Sequence, residues 1–369
     1  MYYGRWTYKY ENAERHGAAG AIIIHTTASA GYPFQVVQSS WGGEQFSLPS
    51  NGQTDFRLKA WVTEDAARSL LELSGHRLDE LQQAARDKTF SPIFLGVTTS
   101  LQFDNQIERA QTANVLGLIE GRDAEHAKEY VVLSAHHDHF GIGKPDAKGD
   151  VIYNGALDNG AGVAQVLSIA RAVKALPRAP RRSLLVLFPA AEEQGLQGSR
   201  FFTEHPPVPA GDLAANINFD DGNIWGRTRD ITQVGGGKST LDAVVARVAA
   251  LQQRVVVPDQ FPDRGAFYRS DQFNFAKIGV PALYCKPGTD FVGRPAGWGK
   301  QQIEAYEALR YHQPSDELGA DWNFDGLVED ARFGFFAALD IAEATELPAW
   351  TPGDEFEAAR KAARAALTH

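Results

Sequence analysis

Histidines and carboxylates gather at five places in this 369-residue chain, at the ends of apolar runs, at a helix entrance and in a loop. The run 130–135 (YVVLSA) leads directly into His136, His137, Asp138 and His139. The run 183–189 (SLLVLFP) leads into Glu192 and Glu193, and the run 215–219 (ANINF) into Asp220 and Asp221. Asp158 sits within Gly155–Gly162 (GALDNGAG) at the entrance to a helix, and His312 lies in a loop, Tyr311-His312-Gln313-Pro314-Ser315-Asp316. Singly, each has a bland reading: loop histidines, a solvated acidic turn, an aspartate capping a helix. Their coincidence beside strands is what overturns it. Several carboxylates buried in one place without counter-charge are prohibitively costly, and one or two divalent cations remove that cost. Cys285 is the only cysteine, which excludes an internal disulfide and argues against a thiolate cluster. Oxygen and imidazole donors suit catalytic zinc, with cobalt or manganese as substitutes. Neighbouring residues of extended chain point in opposite directions, so Glu192 and Glu193 are expected to split their work: one binds metal, the other addresses water.

The elements that must position these groups are legible in outline. The runs 130–135, 183–189, 215–219 and 280–285 (VPALYC) read as strands buried on both faces. Between them, residues 160–176 carry Val163, Val166, Leu167, Ala170 and Val173 at helical spacing. Alternating strands and helices predict an α/β fold, a mainly parallel sheet flanked by helices, with ligands beyond the carboxyl ends of its strands. Upstream, 19–26 (AGAIIIHT) reads as a strand preceded by a helix over 10–16. Residues 27–60 read as short strands and loops. Thr63 is expected to cap a helix whose apolar face holds Leu70 and Leu71 and which Gly75 ends. Residues after Pro352 form an Ala/Arg/Glu helix docked on the surface.

In order, AHHDHFG, GALDNGAG, AAEEQGLQGS, NFDDG and YHQPSDE resemble the motifs of the M28 zinc peptidases, a likeness spanning about residues 90–345. Residues 1–75 resemble most of a protease-associated (PA) domain, with 76–350 as the catalytic domain and 351–369 as a C-terminal helix. The resemblance implies the three-layer zinc-peptidase sandwich and two zinc ions. His136 and Asp220 would hold the first, Glu193 and His312 the second, and Asp158 would bridge them. The residues alone leave His136, His137 and His139 open; the family's His-x-Asp spacing selects His136. The family further implies a cis peptide at Asp158–Asn159, Asp138 accepting the ring N–H of His136, Glu192 as general base, and Tyr311 supporting an oxyanion. Asp221 stands where the family usually has an apolar residue. Aromatic residues crowd 260–300, where the family shapes its specificity pocket; Arg269 is expected to pair with Asp271.

The implied reaction is removal of an N-terminal residue from a peptide. A carboxypeptidase acting on acidic dipeptides, as in the glutamate-carboxypeptidase branch, is the first rival. A binding protein on an inactive peptidase scaffold is the second, and retention of every presumed ligand with Glu192 argues against it, as it does against a one-zinc acyltransferase. The net charge of −10 and the lack of a Lys/Arg-rich run exclude nucleic acid as a natural partner. No stretch reaches the roughly 20 apolar residues that span a bilayer. The first residues show no signal-peptide pattern, and the PA-like region lacks its opening strands, so a longer parent is expected. The resemblance, whose bacterial members are often exported, implies a periplasmic or secreted one. Oligomeric state is not written in the sequence.

Overall fold

The computed structural model describes residues 2–49, 56–220 and 222–368, and the chain divides into two compact units. Residues 1–37 and 50–111 form the smaller, residues 38–49 and 112–369 the larger.

The smaller unit carries α1 (Trp6–Arg15), β1 (Gly20–Ile24), α2 (Thr27–Ala30), the start of α3 (Phe34–Trp41), β2 (Leu58–Val62), α4 (Glu64–Glu72) and α5 (Leu78–Ala84). β1 and β2 pair in parallel, and the Tyr10 hydroxyl of α1 donates to the Ala60 carbonyl at 2.7 Å. Residues 27–60, expected as short strands and loops, hold two short helices as well as a loop and the start of β2, with 50–55 outside the described residues. Thr26 caps the first, and Val36, Val37 and Ser40 bury one stripe of the second. The Thr63 hydroxyl accepts from the Ala66 N–H at the start of α4, as its sequence predicts. The apolar stripe of α4 is one position round from expectation: Ala67 and Leu71 are buried against Leu78, while Leu70 faces solvent.

The larger unit is built on a seven-stranded sheet. Its strands are β3 (Val115–Ile119), β4 (Tyr130–Ser134), β7 (Ser183–Phe188), β8 (Leu213–Asn218), β9 (Asp230–Val234), β10 (Val255–Pro258) and β11 (Ala282–Pro287), with β5 (Gly141–Ile142) and β6 (Ile152–Tyr153) forming a separate hairpin. The spatial order is β10-β9-β11-β8-β4-β7-β3, parallel throughout except where β3 meets β7 and β11 meets β9. Alternate residues of the central strands feed two cores. Val131, Leu133, Leu184 and Val186 pack under α6 (Gly162–Lys174), α8 (Leu241–Leu251) and α11 (Asp325–Glu343). Val132, Leu185 and Leu187 pack on the opposite face with Phe202 of α7 (Gln197–Glu204) and Phe275 of α9 (Gln272–Lys277). This is the three-layer mixed sandwich the sequence leads one to expect. α10 (Trp298–Leu309) precedes the His312 loop, and α12 (Glu357–Ala365) docks at the start of β8, its Arg360 donating to the Leu213 carbonyl.

Three strands of the seven-stranded sheet escaped the sequence reading. β9 (DITQV) looks too polar for a core strand, yet it is fully buried because its polar atoms are engaged: Asp230 accepts the N–H groups of Thr289 and Asp290. β3 exposes Val115, Leu116 and Leu118 on the sheet edge, and β10 is a short outer strand on the other side. Regular alternation begins only at β3, since residues 85–114 hold neither helix nor strand. On α6 the large apolar residues that are buried are Val166, Ile169 and Val173, whereas Leu167, expected on that stripe, is 48% exposed. Among the described residues no helix is long and apolar enough to cross a membrane.

Candidate functional site

β4 lies between β7 and β8, parallel to both, with Ser134 in register with Leu187 and Asn218. The three carboxyl ends therefore open side by side. His136 and Asp220 each follow their strand by two residues, and Glu192 and Glu193 follow β7 after a short loop in which Ala191 has φ +53°. Asp158 arrives from the irregular turn Ala156–Ala161 that feeds α6; its peptide bond to Asn159 is cis, as the family resemblance implies. Asn159 fastens this turn to β8, donating to the Phe219 carbonyl at 2.8 Å and accepting from the Gly162 N–H at 3.0 Å. A side chain at Gly155 would collide with the Asp158 carbonyl and the His139 ring, so glycine is required there. Tyr284, from the aromatic stretch, props the other side by donating to the Asp220 carbonyl at 2.8 Å.

Two groups of ligand atoms meet around one carboxylate. Asp158 Oδ1 lies 3.1 Å from His136 Nε2, which lies 3.2 Å from Asp220 Oδ1. Asp158 Oδ2 lies 3.4 Å from His312 Nε2, which lies 3.0 Å from Glu193 Oε2. His312 is buried with φ +56°, a left-handed conformation that a residue bearing a side chain adopts only when its surroundings impose it. The donor set fits a cation. Metal–ligand bonds of about 2.0–2.1 Å in a tetrahedron put neighbouring ligands about 3.3 Å apart, close to these separations. His312 Nε2 faces Glu193 Oε2, and Glu193 Oε1 faces His139 Nδ1, without the alignment of hydrogen bonds, as lone pairs aimed at a common centre would be.

The electrostatics agree. Burial alone would lower the pKa of His136 and His312, but facing carboxylates override it. Asp220 and Asp158 hold His136 well above its usual value, and Glu193 and Asp158 push His312 up to about 9. Burial raises Asp158, yet the histidines draw it well below the carboxylate range. Glu192 goes the other way: burial first, with Asp220, Glu193 and Asp271 adding to it against His136, pushes its carboxyl well up.

His136, Asp158, Glu192, Glu193, Asp220 and His312 reach this place, whereas His137 turns to the Ala113 carbonyl at 3.1 Å, and two expected partners differ. Asp138 does not accept from His136 through its carboxylate. His136 Nδ1 instead faces the Asp138 backbone carbonyl at 3.0 Å, and Asp138 Oδ2 accepts the Ala191 N–H at 2.6 Å. The cause is local: the tight turn at Ala191 leaves a buried N–H in need of an acceptor, and the carbonyl is free to serve the imidazole. Arg269 donates to the Tyr311 hydroxyl at 3.3 Å, while both carboxylate oxygens of fully buried Asp271 lack a hydrogen-bond partner among the described residues, so the expected Arg269–Asp271 hydrogen bond is absent. Tyr311 stacks on His312 with ring centroids 3.8 Å apart. Asp221 lies outside the described residues.

The structure adds residues that sequence reasoning passed over. His139 Nδ1 lies 2.7 Å from Glu193 Oε1, and His139, Asp158 and Glu193 form one of the groups able to hold an ion. Asp316, 1% exposed, accepts from the N–H groups of Leu157 and Asp158 and from the Tyr306 hydroxyl. Its signal was available, four residues after His312 in the same motif.

The sequence model of peptidase family M28 matches residues 114–332, more than half of the chain. Among curated proteins, the chain is 29% identical over 149 residues to the vacuolar membrane protease of Emericella nidulans, covering 36% of this chain and 15% of that protein. It is 27% identical over 207 residues to leupeptin-inactivating enzyme 1 of Streptomyces exfoliatus, covering 55% and 44%. The chain thus spans less than half the length of either. Among solved structures, the aminopeptidase from Aneurinibacillus sp. strain AM-1 shares the fold with a TM-score of 0.50 at 17% identity, covering 95% of this chain and 68% of that one.

Proposed function

The chain belongs to peptidase family M28, and from that premise we propose that it is a two-zinc aminopeptidase releasing the N-terminal residue of peptides. The observation that carries this reading is the Asp158 carboxylate, one oxygen toward His136 and Asp220 and the other toward His312 and Glu193. One anionic side chain between two imidazole–carboxylate pairs is what a pair of divalent cations needs. In this reading His136 and Asp220 hold one zinc, Glu193 and His312 the other, and Asp158 both. Zinc bound there supplies Lewis acidity, which polarises the scissile carbonyl and makes water acidic enough to lose a proton near neutral pH.

The chain's own groups do the rest. Glu192 is buried beside His136 and Glu193, and its carboxyl prefers its proton more than an exposed glutamate does. That suits a base that accepts a proton from the attacking water and returns it to the departing amine. Arg269 is donor-only, so the Tyr311 oxygen accepts from it, and the pair stands beside His312 where it supports the oxygen that gains charge in the transition state. The Asp138 carboxylate, fixed on the Ala191 N–H, holds the turn that presents Glu192.

The same pair, Arg269 with Tyr311, favours a second reading, since a guanidinium beside the site could hold a substrate's terminal carboxylate. That would make the enzyme a carboxypeptidase acting on acidic dipeptides. Turnover of aminoacyl amides compared with N-blocked acidic dipeptides separates the two. Metal analysis tests the centre itself. We expect two zincs in the wild type and in Glu192→Gln, with turnover in the latter down by about 10²–10⁴-fold, and loss of metal in Asp158→Ala. Two zincs retained by Asp158→Ala would refute the bridge.

A further inference from the structure

The segment Gln38–Pro49 precedes the family match at 114–332 by more than sixty residues of chain, yet it packs as part of the larger unit. It begins in the last turn of α3, where Ser40 is 4% exposed and its hydroxyl oxygen lies 2.7 Å from His312 Nδ1, 272 residues away in sequence. Beyond α3 the segment is fastened to the other flank of the site. The Phe46 N–H donates to Gln194 Oε1 at 3.1 Å and the Leu48 N–H to Gln197 Oε1 at 3.3 Å, just after Glu193. The Gln45 amide donates back to the Ser40 carbonyl at 3.1 Å, tying the two attachments together.

The bond to Ser40 bears on what His312 can do. An imidazole that offers Nε2 to a cation must carry its proton on Nδ1, and that N–H needs an acceptor when buried. The rings around His312, those of Tyr311 at 3.8 Å, Phe140 at 4.9 Å and His139 at 5.6 Å, restrain its plane but supply no acceptor. The Ser40 oxygen supplies it. It fixes the tautomer as well as the direction in which Nε2 points at Glu193 and Asp158.

We infer that Ser40 is a positioning residue of the metal centre, setting the affinity of the His312 and Glu193 side from a stretch of chain outside the family's catalytic segment. The inference rests on His312 being a ligand. Zinc affinity of the full chain, measured by chelator competition, tests it in wild type, Ser40→Ala, Ser40→Thr and His312→Ala, alongside thermal unfolding of the metal-free proteins. Ser40→Ala should weaken one of the two zincs about 10–100-fold, leave the other unchanged, and lower metal-free unfolding only slightly, by the one hydrogen bond lost. Ser40→Thr, which keeps the hydroxyl, should restore the lost affinity, and His312→Ala should lose that ion outright. Wild-type affinity in Ser40→Ala while His312→Ala loses an ion would overturn the inference alone. Equal weakening of both zincs with a much lower metal-free unfolding temperature would overturn it too, by making Ser40 merely structural. Two zincs retained by His312→Ala would remove the ligand assignment and the inference with it.

Discussion

At the scale of single residues, His312 and His136 compete with any cation for their own protons. Without metal, each imidazole takes a proton because carboxylates face it, and His312 keeps that proton up to about pH 9. A ligand must be deprotonated, so binding has to expel these protons. The sign follows. His312 is raised in the folded state, so its contribution to metal-free stability is complete below its unfolded value of about 6.5 and is lost as pH climbs through about 9. Metal affinity moves oppositely, rising with pH by about tenfold per unit for each proton displaced, with the share from His312 levelling off above about pH 9. Zinc competition titrations between pH 6 and 10 read this directly; a flat profile would show that metal displaces no protons from these histidines. Much at this scale was legible beforehand, because the clusters holding His136, Glu193 and Asp220 follow closely on apolar runs, and the family resemblance chose among their members. The partner of His136 was not, since whether a residue offers its carboxylate or its carbonyl depends on what else in the fold needs an acceptor.

At the scale of elements, the turn before α6 is held by the loop after α10. Asp316 accepts the N–H groups of Leu157 and Asp158, and its own carbonyl accepts the Ala156 N–H at 3.0 Å. Three consecutive amides of the Asp158 turn are therefore fixed by one residue of the His312 motif, which joins the two faces of the centre. Asp316→Ala leaves buried donors unpaired, a loss of about 1–3 kcal/mol, and lets the Asp158 turn drift. We expect a lower unfolding temperature together with zinc affinity about 10–100-fold weaker, and a smaller effect in Asp316→Asn, which keeps one oxygen. Unfolding and zinc titration of the two variants check this, and tight zinc binding by Asp316→Ala would deny the clamp. Sequence pattern identified the helix that follows this turn but placed Leu167 inside, because periodicity gives the spacing of a stripe and not the direction it faces.

At the scale of the whole molecule, stability and chemistry sit at opposite edges of the sheet. Arg182, just before β7 and 1% exposed, pairs with Glu129 at 2.7 Å and donates to the Ile341 and Ala344 carbonyls at the end of α11. Removing one partner of a buried pair costs about 3–5 kcal/mol. Arg182→Ala should therefore lower the unfolding temperature markedly while the folded fraction keeps the wild-type zinc content; loss of zinc in proportion would mean the two edges are coupled. From the family resemblance came the choice of His136 and Glu193 within their clusters and the role of His312. From residue pattern alone came the layered α/β fold, the central strands β4, β7 and β8, and the convergence of the charged clusters that follow them. These were accessible because apolar runs ending in charge are a local signal, and parallel strands bring such ends to one edge. Only the folded chain decided the burial of polar β9, the clamp of Asp316, the approach of His139 to Glu193 and the reach of Ser40 to His312. Hydrogen bonds across such distances in sequence leave no periodicity or spacing to read; they exist only once packing has removed water and every buried donor must find an acceptor.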